Sequence, residues 1–149
     1  MKSKTNKIKD IHIQCVSTDR QRVNLALQLI SRSADLFKKY FPNDKEKMAL
    51  AGFNELATTC WKLMTSKTIF HEDIMCSALR VDIEKQSKPL KEFVNVMEKI
   101  KFINKKGQAG RRLFQNGIIL TITATLELQK NLKENYNIPY LCVNRTNQY

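Results

Sequence analysis

Glycine and proline are scarce in this chain: four glycines and three prolines in 149 residues. A chain so poor in both, with 42% hydrophobic residues, is a folded globule and not a disordered tail. No stretch approaches the 18 consecutive apolar residues a membrane-crossing helix needs. The opening "MKSKTNKIKD" has no apolar segment after its lysines, so it does not read as a secretion signal. An intracellular setting (cytoplasm, nucleoid or nucleus) with reduced thiols is the expectation, and "NRT" at Asn144 is then a chance sequon. The four cysteines (Cys15, Cys60, Cys76, Cys142) form no CxxC pair, and His12 and His71 are not spaced with them as ligands. No structural zinc site is expected on that count. There is no GxxxxGK[ST] loop and no GxGxxG turn, so no nucleotide or dinucleotide fingerprint and no cofactor follow. "HED" at His71–Asp73 places successive residues on different sides of a helix and reads as helix-start chemistry. The chain is expected not to be an enzyme.

What is abundant is positive charge. The net charge is +12, and it is uneven. Residues 1–43 hold nine basic and three acidic side chains; residues 44–84 hold five and seven; residues 85–112 hold nine and two. Charge at that density repels itself and is usually kept for an anionic partner. The second basic block coincides with the glycines. "KFINKKGQAGRRLFQNG", residues 101–117, contains three of the four.

The length is that of a single domain, and no internal repeat is present. Residues 1–17 form a basic N-terminal arm. From Thr18 apolar residues recur every three or four positions (Val23, Leu27, Ile30, Ala34, Phe37), predicting a helix that "FPND" ends. Asp44 caps a second helix, apolar over much of its circumference, with Trp61 as the largest piece of the core. These two make a helical frame over residues 18–66. A short helix is predicted from His71 to Arg80, then a turn, then an amphipathic helix from Ser87. Leu90, Phe93, Val94, Met97 and Ile100 line its inner side, and Lys88, Lys91, Asn95 and Glu98 its outer side. "KFINKK" and "RRLFQN" around Gly107 and Gly110 predict a β-hairpin, and Asn116-Gly117 a second turn. Residues 118–149 start with β-branched residues and finish as a closing helix and tail. Ile122, Leu126, Leu128 and Leu132 are its expected inner positions, and Tyr140, Leu141 and Val143 its tail anchors.

The order helix, turn, helix, basic hairpin in "FHEDIMCSALRVDIEKQSKPLKEFVNVMEKIKFINKKGQAGRRLFQNGIILTITATLEL" resembles a winged helix-turn-helix domain over residues 68–117. The layout is most similar to that of the multiple-antibiotic-resistance-type regulators. The resemblance implies a mainly α fold: a winged helix-turn-helix with long flanking helices and one short β-hairpin. It implies binding of duplex DNA in a regulatory or accessory role, and a homodimer through the long helices. The chain departs from that layout by lacking an acidic residue beside the wing arginines and by a longer "FQNGIILTI" segment.

The chemistry of a groove-reading helix points to the same residues. Lys88, Lys91 and Asn95 would face base edges, with Gln86 and Ser87 at the start of the helix; asparagine can bond adenine twice and lysine can reach guanine or phosphate. Lys105, Lys106, Arg111 and Arg112 on the hairpin would follow phosphates. Two other readings stay open. One is a small all-helical interaction protein whose basic loop docks an acidic protein. The other is an RNA binder that adds the arm from Lys2 to Lys9.

Overall fold

The computed structural model describes residues 23–80, 84–103, 107 and 109–146. In chain order the elements are α1 (Val23–Tyr40), α2 (Lys45–Met64), a 3-10 turn (Ile74–Cys76), α3 (Glu84–Lys99), β1 (Phe102–Ile103), β2 (Ala109–Gly110), α4 (Leu113–Tyr136) and α5 (Val143–Thr146). The protein is mainly helical, with a small two-stranded antiparallel hairpin. The arm over 1–17 lies outside the described residues. The chain divides into two compact units, Met1–Thr58 and Thr59–Tyr149.

In the first unit α1 stops at Tyr40 because Pro42 disfavours helical geometry at Phe41. The Asp44 carboxylate then accepts from the backbone N–H groups of Glu46 and Lys47, both at 3.1 Å, and so caps α2. Lys47, 2.8 Å away, also holds that carboxyl below the usual carboxylate range. Asn54 donates to the Ser33 hydroxyl at 3.0 Å, and Lys38 pairs with Glu55. Ala34 and Ala51 are fully buried.

α2 is less enclosed than its composition predicts. Cys60 and Leu63 are buried, whereas Leu50 is 46% and Trp61 40% exposed. Trp61 is one residue on from Cys60, about 100° around the helix, and this turns it out of the core it was expected to anchor. Trp61→Ala should therefore cost about 2 kcal/mol in a urea titration, below the roughly 3–5 kcal/mol of a fully buried aromatic.

In the second unit, α3 and α4 pack against each other. Leu90, Phe93 and Met97 of α3 and Ile122 of α4 are buried. The segment expected to be a helix from His71 to Arg80 is not one. Only Ile74–Cys76 make a 3-10 turn, capped by Asp73, whose carboxylate accepts from the Met75 N–H at 3.0 Å. Beyond it the backbone bonds outward. Ala78 N donates to Thr68 O, Leu79 and Leu141 exchange two bonds at 2.9 Å, and Arg80 N donates to the Gln86 side chain. With those N–H groups committed to distant acceptors, an α-helical ladder has no donors left.

α4 is one continuous helix of 24 residues, running through Asn116-Gly117 where a turn was expected. Within its β-branched stretch the threonine hydroxyls bond back along the helix, Thr121 donating to Gly117 O at 2.8 Å and Thr125 to Thr121 O at 2.7 Å. Packing on α3 overrides the local preference for strand. The helix ends at Asn137, in left-handed geometry with φ 54°, and Ile138 N returns to Leu132 O. The tail then folds back as expected, burying Leu141 and Val143. Of the predicted inner positions, Ile122 is buried and Leu128 is 45% exposed; the polar Gln115 and Gln129 are fully buried instead.

Candidate nucleic-acid interface

Two elements carry the expected contacts. The first is the outer side of α3. Lys88, Lys91 and Asn95 are exposed there and line one open depression with Ser87, Glu84 and Glu92. The spacing of three and four brings them onto one face, as expected. Two carboxylates share that face, so it is mixed in sign. Lys88, Lys91, Lys101, Arg111 and Arg112 form no ion pair among the described residues.

Gln86 and Ser87 stand differently from the expectation. Both are buried, Gln86 completely. The helix starts at Glu84, three residues before the expected cap, so Gln86 is already helical and falls in line with the inward-facing Leu90, Phe93 and Met97. The Gln86 amide donates to Ile74 O (2.8 Å), the Ser77 hydroxyl (3.1 Å) and Ala78 O (3.1 Å), and its oxygen accepts from Arg80 N (2.9 Å). The Ser87 hydroxyl donates to Glu84 O. Gln86 has no atom left to offer a base, and it is corrected to a structural residue. Pro89 falls in the second turn, where it removes a helical N–H donor.

The second element is the hairpin. Phe102 pairs with Gly110 and Ile103 with Ala109, antiparallel. Gly107 has φ 76°, a backbone region where a side chain is strained, so glycine is needed in the loop. Gly110 is needed less, since an added Cβ there would meet nothing within 4 Å. Lys105 and Lys106 lie outside the described residues. Arg111 and Arg112 are exposed at the base of the hairpin. Arg111 Nη2 donates to Glu98 O at 3.2 Å, which draws the hairpin against the end of α3.

Gln115 fixes that base, and periodicity gave no sign of it. It is fully buried. Its Nε2 donates to Met97 O (3.0 Å) and Ile100 O (2.9 Å), and its Oε1 accepts from Arg112 N at 2.6 Å. Gln115 N in turn donates to Arg112 O at 3.0 Å. One side chain thus satisfies carbonyls at the C-terminal end of α3 and an amide at the N-terminal end of α4. The loop from Lys101 to Arg112 is closed at its root. Arg111 reaches Glu98, ten residues along α3 from Lys88, so the two basic groups are roughly 15 Å apart along the helix axis.

Among the described residues, no group of three or more His, Cys, Asp or Glu is placed to hold a metal ion, and no helix is long and apolar enough to cross a membrane. The Asp73 carboxylate pairs with Lys62 at 3.0 Å; this bond, then the Met75 N–H, holds it below the usual carboxylate range. The Cys60 thiol is pushed up to about 12, first by burial and then by Glu92, which makes it an unreactive core group.

No protein-family model matches the chain, and a search of curated proteins finds no match. Among solved structures the chain is similar to the Drosophila P element transposase strand transfer complex, with a TM-score of 0.76 and 24% identity. The match covers 95% of this chain and 32% of that one. At this identity the likeness is one of fold. The chain spans about a third of the length of the protein it matches.

Proposed function

We propose that this chain is a DNA-holding module that contributes contacts and not chemistry. In this reading the basic hairpin grips phosphates of duplex DNA through Arg111 and Arg112, with Lys105 and Lys106 adding charge. The outer side of α3, through Lys88, Lys91 and Asn95, lies along the same duplex. The observation that carries the reading is the block from 85 to 112, nine basic residues against two acidic, with the root of its hairpin fixed to the end of α3 by Gln115. The fold likeness to part of a transposase in a strand transfer complex suggests transposition as the setting in which DNA is held. A role as a winged-helix regulator draws less support, because the segment before α3 is a 3-10 turn with extended flanks.

The test is duplex binding by fluorescence anisotropy at several salt concentrations. The wild type should bind a random 20-base-pair duplex with steep salt dependence. The double variant R111A/R112A should bind more weakly, and its salt slope should flatten by about 0.9 for each phosphate that is no longer neutralised. Its melting temperature should fall little, since both side chains are exposed and the one bond lost, from Arg111 to Glu98 O, lies at the surface. An unaltered slope would remove the hairpin from the interface.

A further inference from the structure

The root of the hairpin carries apolar side chains as well as charge. Phe102 is 39%, Ile103 72%, Leu113 90% and Phe114 51% exposed. Phe102 and Phe114 meet edge to face, with ring centroids 5.3 Å apart and planes at 70°. One aromatic comes from β1 and the other from the first turn of α4, and the Gln115 clamp joins Ile100, two residues before Phe102, to Arg112 at the start of α4. The pair is half open to solvent. Burying either ring would have been favourable by area alone, so a partner that covers them gains that area.

The charge around the pair narrows what that partner is. From residue 99 to residue 126 the sequence has no acidic side chain, while Lys101, Arg111 and Arg112 flank the rings. A ligand for this site offers flat apolar faces and negative charge at short intervals. Unpaired nucleic acid does so. In a duplex the base faces are hidden in the stack, so an aromatic on the protein reaches them only by prising a base step apart, which costs stacking energy, whereas an unpaired strand offers them freely.

We propose that Phe102 and Phe114, with the exposed Leu113 that precedes Phe114 in the chain, form a stacking platform for unpaired bases of a single strand whose phosphates meet Lys101 and Arg112. The inference rests on the nucleic-acid reading above and adds to it a base-contacting site and a strand state. A junction between duplex and single strand would then use both surfaces, with the duplex on the α3 side and the unpaired bases on the rings.

The experiment compares Phe114→Ala and Leu113→Ser with the wild type on two labelled probes, a (dT)20 single strand and a 20-base-pair duplex, at 0.1 M salt. Phe114→Ala should weaken the single strand about tenfold, the size of one lost base-aromatic stack, and the duplex less than twofold. Leu113→Ser, at a side chain 90% exposed, should keep the fold and still weaken the single strand. If thermal melting shows that Phe114→Ala does not fold, Leu113→Ser decides alone. Equal single-strand affinity in the wild type and the folded variants overturns the platform and leaves the duplex reading standing. Failure of the wild type to bind either probe overturns both, and the rings then belong to a protein contact.

Discussion

Gln86→Leu is expected to destabilise the Thr59–Tyr149 unit by about 3–5 kcal/mol. Leucine would fill most of the volume, so the cost is polar. Without the amide, Ala78 O and Arg80 N lose the partners shown for them, and burying each unpaired group costs about 1–3 kcal/mol. Ile74 O fares better, because it keeps the Ser77 hydroxyl at 2.7 Å. The loss is large against a domain stability of about 5–15 kcal/mol. It should appear in urea as a lower midpoint with the slope little changed. Gln86→Glu is the informative control: its oxygen can still accept from Arg80 N, but an anionic carboxylate cannot donate to Ile74 O or Ala78 O. A cost below about 1 kcal/mol for Gln86→Leu would mean that the segment from Ile74 to Arg80 is held by its other bonds, to Thr68 and Leu141.

That residue also marks how far the sequence could be read. Elements held by apolar periodicity or by punctuation were legible: α1 and α2 from their spacing and from Pro42 and Asp44, the inner side of α3 from Leu90, Phe93 and Met97, and the hairpin from Gly107 and its basic flanks. What was hidden is the work of buried polar side chains. Gln86, Gln115 and Gln129 are each fully buried, yet a glutamine in an amphipathic pattern counts as surface. Gln86 dissolves the expected helix from His71 to Arg80 by taking its backbone groups, and Gln115 starts α4 before the Asn116-Gly117 pair can turn the chain. Trp61 shows the converse error, since hydrophobicity alone said core and rotation by one residue set it outside. In the interface, the exposed trio on α3 was readable from spacing. The aromatic pair was not, because Phe102 and Phe114 are far apart in the pattern of their own elements and meet only through the fold.

Gln115→Leu tests whether the interface depends on that hidden scaffold. The variant leaves Met97 O, Ile100 O and Arg112 N without the side chain that joins them. Arg112 is exposed, so its N–H can turn to water, and the cost falls mainly on the two carbonyls: about 2–4 kcal/mol in urea. The second consequence separates this site from an ordinary core position. With its root released, the hairpin should exchange its amide hydrogens faster at Phe102–Ile103 and Ala109–Gly110 than the wild type does, and duplex affinity should drop although every basic side chain is still present. Gln115→Glu supplies the sign. A protonated carboxyl can donate to one of the carbonyls, whereas the carboxylate faces both with no hydrogen to give. The folded state then holds the proton more tightly than the unfolded chain, so this variant should be most stable at acidic pH and lose stability as the pH rises. Retained duplex affinity in a folded Gln115→Leu protein would show that charge alone, wherever the loop carries it, is enough for binding. Lost affinity at constant charge assigns the binding surface to the geometry that Gln115 enforces between the end of α3 and the start of α4.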